Sequence, residues 1–173
     1  MSNKILVTYA SRAGSTVGVA EAIGKSLSEG GAQVDVMPMR DVEDLSAYGA
    51  VVAGSAIRKS KWLPEAVQFI QAHRSALAQK PFAMFTVCIT LAMSNSEQYR
   101  SAVAGWVAPV RAMVKPRSEG LFAGTLDFSN LPFNWDTLML RLTVLFGIFP
   151  RGDHRDWNAI RAWAEGLRSI LGV

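Results

Sequence analysis

The chain has 173 residues, half of them hydrophobic, which is enough for one globular domain with a full-sized core and too apolar for a disordered protein. The single cysteine, Cys88, excludes an internal disulfide and an all-cysteine metal site, and the distant pair His73 and His154 argues against a structural metal site. The net charge of +4 is spread along the chain, which favours anionic ligands or membranes over nucleic acid.

Apolar runs of strand length alternate with helical patterns along the chain, which predicts an α/β fold with a parallel sheet. The predicted strands are residues 4–9, 33–38, 50–54, 82–88 and 120–128. The predicted helices are residues 16–29, 63–77, 96–114 and 156–171, with a short helix or turn at 41–47 and an extra element at 134–149. No repeat or change in composition divides these elements, so we expect one domain over residues 1–173.

The first residues lead directly into the first strand and carry no signal-peptide pattern. We therefore expect a cytoplasmic protein, with peripheral contact at the inner face of the membrane as the alternative.

The segment between the first strand and the first helix is short and rich in hydroxyl groups. It reads Ser11-Arg-Ala-Gly-Ser-Thr16. Backbone N–H groups at such a junction bind anions, Gly14 allows a close approach, and the hydroxyls of Ser11, Ser15 and Thr16 add hydrogen bonds. The segment lacks the lysine of the P-loop and the glycine spacing of the dinucleotide fingerprint. It therefore favours a single terminal phosphate, the alternative being a tight turn capped by Ser or Thr.

A second loop follows the third strand, on the edge of the sheet where ligands bind if the strand order is 2-1-3-4-5. Small residues from Gly54 to Ala56 allow a flat ring to lie against the backbone, and Trp62 can cover that ring. Positive charge beside the ring comes from Arg58, Lys59 and Lys61. The alternative is a solvated loop with a partly buried tryptophan.

The third loop on this edge, residues 86–92, follows the fourth strand. Its backbone amides can hydrogen-bond the polar edge of the same ring. Cys88 ends an apolar run, which is typical of a buried, inert thiol.

Three segments carry a recognisable pattern: Tyr9-Ala-Ser-Arg-Ala-Gly-Ser-Thr16, Val52-Ala-Gly-Ser-Ala-Ile-Arg58 and Asp153-His-Arg-Asp-Trp-Asn-Ala-Ile-Arg161. They resemble flavodoxin-fold proteins that bind FMN, and most of all the flavodoxin-like, quinone-dependent protoporphyrinogen oxidase family. The resemblance implies a three-layer fold whose five-stranded parallel sheet has the order 2-1-3-4-5. It also implies a helical insertion at about 129–152, before the last helix.

The same resemblance implies FMN as the cofactor and assigns residues to it. The FMN phosphate is assigned to Ser11, Arg12, Ala13, Gly14, Ser15 and Thr16. The flavin ring is assigned to Ser55, Ala56 and Ile57 from the second loop and to Thr86, Val87, Cys88, Ile89 and Thr90 from the third, with Trp62 added from its place in the sequence. No general base is evident, so the catalytic residues stay unassigned.

The insertion is apolar nearly all round, and Arg141 is the only charged residue in 137–149. About 13 residues are too few to span a bilayer of ~30 Å. We expect a helix packed on the sheet or in a homodimer interface. The alternative is a surface element, bordered by Phe133, Trp135 and Arg151, that contacts a membrane through residues 133–149 or receives a quinone.

The resemblance implies an FMN-dependent oxidoreductase that passes electrons from a large planar substrate to a quinone, as in heme biosynthesis. Two alternatives are a flavodoxin-like electron carrier for a redox partner protein and a domain that has lost FMN. The basic charge and the apolar insertion favour the enzyme.

Overall fold

The computed structural model describes residues 4–93, 96–126, 135–146 and 152–172. Its centre is a parallel sheet with the order β2-β1-β3-β5-β6. These strands are β1 (Lys4–Ala10), β2 (Gln33–Pro38), β3 (Ala50–Arg58), β5 (Phe82–Cys88) and β6 (Ser118–Ala123). The order confirms the predicted 2-1-3-4-5 arrangement. A short strand, β4 (Lys61–Trp62), pairs antiparallel with the end of β3.

Helices cover both faces of the sheet and give the predicted three layers. Side chains from α1 (Ser15–Glu29) and α6 (Trp157–Leu171) form one apolar cluster with the sheet. Those from α2 (Pro64–Ala72), α3 (Arg74–Ala78) and α4 (Ser96–Met113) form another. The remaining elements are a helix, α5 (Trp135–Leu145), and an antiparallel pair of short strands, β7 (Thr125–Leu126) and β8 (Gly152–Asp153).

The last helix shows how the sequence specifies these elements. The carboxylate of Asp156 caps α6 by accepting hydrogen bonds from the backbone N–H groups of Asn158 and Ala159, each 3.0 Å long. Four apolar side chains at helical spacing are buried on its inner face, namely Ile160, Ala164, Leu167 and Leu171. Gly172 ends the helix in the left-handed conformation, with φ of 75°.

Several predicted bounds differ from the structure. The predicted helix 63–77 is divided at His73, whose ring packs 4.7 Å from that of Phe69. The third strand continues past Gly54 to Arg58. The segment predicted as a short helix or turn at 41–47 begins at the end of a 3-10 turn, Met39–Asp41, and contains a turn at residues 46–47 but no helix of its own. Parts of the predicted segments 120–128, 129–152 and 134–149 fall outside the described residues, as do Phe133 and Arg151.

The insertion is helical where it is described, in α5. None of the helices in the ranges above is long and apolar enough to cross a membrane. That residues 1–173 form one domain stays a prediction.

Candidate functional site

Strand register places the ends of four neighbouring strands side by side. Ala10 of β1 pairs with Ser55 of β3, which pairs with Thr86 of β5, which pairs with Leu121 of β6. The loops that leave this row therefore start at one edge of the sheet, where ligands of open α/β sheets bind. We call residues 11–14 loop 1. The β3–β4 hairpin, residues 55–62, is loop 2, and the 3-10 turn Ile89–Ala92 is loop 3.

Loop 1 turns sharply into α1 at a left-handed glycine. Gly14 has φ of 83°, a conformation that L-residues seldom adopt. Its N–H donates to Oγ of Ser11 over 3.1 Å, and its carbonyl accepts from the N–H of Val17 over 3.1 Å. This turn directs the first N–H groups of α1 away from the helix, toward the edge of the sheet.

The hydroxyls of loop 1 and the first turn of α1 are arranged as donors. Oγ of Ser11 accepts from Gly14, and Oγ of Ser15 accepts from the N–H of Thr125 over 2.9 Å. Among the residues that the structure describes, neither hydroxyl proton has an acceptor, so both can be donated to a ligand. Thr16 is fully buried, and its Oγ1 has no hydrogen-bond partner within the described part of the chain. A buried hydroxyl without a partner is costly, and an anion bound at this turn is an acceptor that would satisfy it.

Arg12 extends from loop 1 to the neighbouring helix. Its Nη2 lies 3.2 Å from Oε2 of Glu65, at the start of α2, and both side chains are largely exposed. Such an exposed pair contributes little to stability, so the guanidinium can exchange Glu65 for another anion at small cost.

Loop 2 is a tight hairpin anchored to the sheet by two side chains. Oγ of Ser55 donates to the carbonyl of Ala56 over 2.8 Å and accepts from the N–H of Leu63 over 3.1 Å. Nε1 of Trp62 donates to Oγ1 of Thr86 over 2.9 Å. The tip of the hairpin exposes its cations, Arg58, Lys59 and Lys61.

Trp62 lies elsewhere than a ring cover requires. Its side chain is only 3% exposed and packs in the apolar core, where it fixes the hairpin to β5. The sequence pattern placed this indole on the surface of the site, and the structure corrects that expectation. The buried indole instead holds loop 2 against β5 through its hydrogen bond to Thr86.

Loop 3 begins at a buried thiol. Cys88 is 5% exposed, and burial raises the pKa of its thiol although hydrogen bonds to Thr90 oppose the shift. This agrees with the expected inert thiol. Gly124, just after β6, lies between loop 3 and the first turn of α1: an added Cβ would lie 3.3 Å from Oγ of Ser15 and 3.6 Å from the N–H nitrogen of Ile89.

The residues assigned from the sequence divide by accessibility. Those that are half-buried or exposed are Ser11, Arg12, Ala13, Gly14, Ser15, Ala56, Ile57, Ile89 and Thr90. Those that are buried are Thr16, Ser55, Trp62, Thr86, Val87 and Cys88. The accessible residues of all three loops lie along one edge, so a ligand that spans them needs an anionic end at loop 1 and a flat body between loops 2 and 3.

Two residues that the sequence did not assign to the site, Thr125 and Arg155, contact Ser15 in the first turn of α1 from far along the chain, and Asp153 bonds to both of them. We call residues 125–126 and 152–155 the stem of the insertion. Nη1 of Arg155 lies 3.4 Å from the carbonyl oxygen of Ser15. Asp153 and Arg155 belong to the third resembling segment, but its pattern contains no sign of this contact.

A cavity of about 460 Å³ lies beside loop 3 at the edge strand β6. Leu91 and Ala92 of loop 3 contribute apolar lining, and Arg100, His154 and Asp156 contribute polar groups. Its volume is within the range of small-molecule sites.

A family model described as the flavodoxin domain matches residues 6–145 of this chain. The chain belongs to the flavodoxin domain family. The matched region contains loops 1, 2 and 3 and ends before residues 152–155 of the stem.

Related proteins agree with this assignment. The protoporphyrinogen IX dehydrogenase [quinone] of Leishmania major is 24% identical over 98% of this chain and 76% of its own length. A flavodoxin from the domain Archaea has a TM-score of 0.58 at 18% identity, covering 98% of this chain and 99% of its own. The C101S mutant of flavodoxin from Pseudomonas aeruginosa has a TM-score of 0.62 at 13% identity, with the same coverage.

FMN is the cofactor of this family and of this chain. Two features of the structure fit it: the left-handed Gly14 opens loop 1 to an anion, and the unpartnered hydroxyl of Thr16 lies at the first turn of α1. Both match a terminal phosphate.

Proposed function

We propose that this chain is an FMN-dependent oxidoreductase that transfers electrons from protoporphyrinogen IX, or a similar large planar substrate, to a quinone. The observation that carries the proposal is the similarity to a protoporphyrinogen IX dehydrogenase over 98% of the chain. That similarity extends past residue 145, where the match of the family model ends.

In this proposal the chain mainly binds and orients. Loop 1 and the first turn of α1 hold the FMN phosphate through Ser11, Ser15 and Thr16, and loops 2 and 3 flank the flavin ring. FMN supplies the redox chemistry by accepting and releasing electrons. The tightly anchored hairpin keeps loop 2 in place, which fixes the position of the ring relative to the substrate.

Two features suit a planar substrate with carboxylate side chains. The exposed cations at the tip of loop 2, Arg58, Lys59 and Lys61, attract carboxylates. The cavity beside loop 3, next to the proposed flavin position, offers apolar side chains for a planar body and the guanidinium of Arg100 for a carboxylate, although the carboxylates of Glu97 and Asp156 also line it. We place the substrate there.

The apolar surface of α5 suits a quinone or the membrane that contains it. Leu145 and Phe146 at the end of this helix are 78% and 75% exposed, and Met139 is 37% exposed. Large apolar side chains with this exposure are typical of a surface that meets another apolar surface.

A second candidate function is electron transfer to a redox partner protein without a substrate of the chain's own. The fold favours it, since the solved structures that match over nearly the whole of both chains include flavodoxins.

Two assays on the FMN-loaded chain separate these functions. The first measures oxidation of protoporphyrinogen IX with menaquinone as acceptor, and the second measures reduction of the flavin by a flavodoxin reductase. The proposal expects quinone-linked turnover in the first assay. Rapid reduction by the reductase without any such turnover would establish the carrier instead.

A pair of variants on α6 sharpens the comparison. Ala159 lines the cavity and is exposed, so Ala159→Trp narrows the cavity without disturbing the core. We expect its substrate turnover to fall about tenfold, a loss typical of a misplaced substrate, while reduction by the reductase is unchanged. Ala162→Trp, on the same helix and also exposed, is the control and keeps both activities. Equal substrate turnover in the two variants would contradict the placement of the substrate in this cavity.

A further inference from the structure

The stem of the insertion is attached to the first turn of α1. The N–H of Thr125 donates to Oγ of Ser15 over 2.9 Å, and Nη1 of Arg155 lies 3.4 Å from the carbonyl oxygen of the same serine. Ser15 is thus held on its side chain and on its backbone by two separate parts of the stem. Both contacts bridge more than a hundred residues of sequence.

The guanidinium of Arg155 packs directly against α1. A Cβ added at Gly18 would lie 2.7 Å from Nη1 of Arg155 and 3.5 Å from the ring of Trp157. On its other side, Cζ of Arg155 lies 4.4 Å from the centroid of the Trp157 ring. Because the side chain is only 16% exposed, this position is defined by packing as well as by hydrogen bonds.

Asp153 fixes the guanidinium in this place. Its Oδ1 accepts from Nε of Arg155 over 2.8 Å and from Oγ1 of Thr125 over 2.9 Å, and its Oδ2 lies 2.5 Å from Nη2 of Arg155. These hydrogen bonds hold the pKa of the Asp153 carboxyl far below its usual range. The charge of Arg155 is therefore already paired, and its role at Ser15 is that of an oriented donor rather than of a free cation.

We propose that Arg155, oriented by Asp153, is a positioning residue for the phosphate-binding turn, and that it couples the stem of the insertion to the binding of the FMN phosphate. The inference rests on the assignment of that phosphate to loop 1 and α1. By fixing Ser15, the stem orders the serine hydroxyl and the neighbouring N–H donors before the phosphate arrives. Ordering these groups in advance lowers the entropic cost of binding.

Binding of FMN and of riboflavin, which lacks the phosphate, tests the proposal through quenching of flavin fluorescence. Arg155→Met keeps the packing on Trp157 but removes every donor. We expect it to raise the Kd for FMN about tenfold, because a displaced Ser15 hydroxyl loses its hydrogen bond to the charged phosphate, and to leave the Kd for riboflavin unchanged. Arg155→Lys restores part of the FMN affinity. Arg161→Met, exposed on α6, is the matched control and changes neither constant.

Equal changes in the two constants, or no change in either, would overturn the proposal, because a general loss of structure affects both flavins. Thermal unfolding of the apo forms shows that each variant is folded. A wild-type chain that binds neither flavin would instead contradict the assignment of an FMN site. Failure of the proposed site and failure of the role of Arg155 therefore give different results.

Asp153→Asn separates positioning from simple attraction. If Arg155 acts through its fixed orientation, this variant weakens FMN binding and adds nothing further in the Arg155→Met background. If Arg155 were a free cation for the phosphate, loss of the competing carboxylate would tighten FMN binding, and the proposal fails.

Hydrogen exchange tests the coupling from the other end. Coupling between two sites is reciprocal, so FMN should slow exchange of the stem amides of Thr125 and Arg155, and riboflavin should slow it less. This difference should disappear in Arg155→Met. Equal protection by the two flavins in the wild type contradicts the coupling.

Discussion

Two buried threonines on neighbouring segments show what a single hydroxyl can reveal. Thr8 in the middle of β1 and Thr16 in the first turn of α1 are both fully buried, and neither Oγ1 has a hydrogen-bond partner within the described residues. Only Thr16 lies at the proposed phosphate site. Substituting each threonine therefore separates the effect of an unpartnered hydroxyl on stability from its effect on phosphate binding.

We expect Thr16→Val to stabilise the apo chain by about 1 kcal/mol, because valine has the same shape and leaves no donor unsatisfied. The same change removes a donor to the phosphate and raises the Kd for FMN about tenfold. Urea unfolding and fluorescence titration measure the two effects. Thr8→Val is the control: it should give the same stabilisation and an unchanged Kd, and a Kd that rises in both variants would contradict the role of Thr16.

Tyr48 makes the stability of the folded chain depend on pH in the alkaline range. Its hydroxyl donates to Oδ2 of Asp35 over 2.7 Å, and Nζ of Lys4 lies 2.7 Å from the same oxygen. Burial, with a smaller contribution from Asp35, raises the pKa of Tyr48 to about 12 from an ordinary value of 10.0. Since the folded chain binds this proton more tightly than the unfolded chain, the stabilisation is complete below pH 10.0 and is lost as the pH rises toward about 12.

We expect Tyr48→Phe to be less stable than the wild type at neutral pH by about 1.5–3 kcal/mol, the value of a hydrogen bond to a charged group. The difference should shrink above pH 10, because only the wild type loses this stabilisation there. Urea unfolding at a series of pH values measures it. A difference that stays constant through the alkaline range would show that the phenol does not titrate with folding.

At the scale of elements, the hairpin of loop 2 contains a local conflict. Lys59 and Ser60 have φ of 50° and 57°, the left-handed conformation of a type I′ turn, which favours Asn and Gly. We expect Ser60→Gly to stabilise the chain by about 1 kcal/mol, since an L-residue pays roughly that amount in this conformation. Ser169→Gly, exposed within α6, is the control and should destabilise by about 0.5–1 kcal/mol. Urea unfolding that moves both variants in the same direction would contradict the turn assignment.

The same turn explains where the sequence failed to predict the fold. Strands β2 and β5 agree with their predicted bounds because their apolar runs have clear ends. β3 does not, because Ser55 and Ala56 have no strand pattern and Lys59-Ser60 carries no turn signal. The break at His73 also lacks a signal, since it depends on a contact with Phe69 and not on a Gly or Pro.

The sequence supports site predictions that depend on neighbouring residues. The phosphate assignment to loop 1 rests on its small and hydroxylated residues, and it stays a prediction that the left-handed Gly14 fits. The burial of Trp62 was not predictable, because it depends on Thr86 in another strand. The contacts of Thr125 and Arg155 with Ser15 depend on the whole path of the chain, which local periodicity does not contain.

At the scale of the whole molecule, a net charge of +4 and an exposed apolar helix end suit an anionic membrane. We expect the FMN-loaded chain to float with liposomes that contain anionic lipid and Leu145→Glu/Phe146→Glu to remain unbound. Ala162→Glu/Ser169→Glu adds the same charge on the exposed face of α6 and should bind like the wild type. An equal loss of liposome binding in the two double variants would show that added negative charge, and not the apolar end of α5, accounts for it.

Homodimerisation is the competing use of this surface. Sedimentation of the same variants tests it. A wild type that sediments as a dimer and a Leu145→Glu/Phe146→Glu variant that sediments as a monomer, with no liposome binding by either, would assign α5 to a dimer interface.

The attachment of Ser15 to the stem has a consequence for the order of events in biosynthesis. Ser15 leaves the ribosome 110 residues before Thr125 and 140 residues before Arg155. The proposed phosphate-binding turn is therefore translated early and waits, without its distant supports, until Arg155 has been made. We therefore expect tight binding of FMN to follow the docking of α6, so that folded chains bind the cofactor and nascent ones do not.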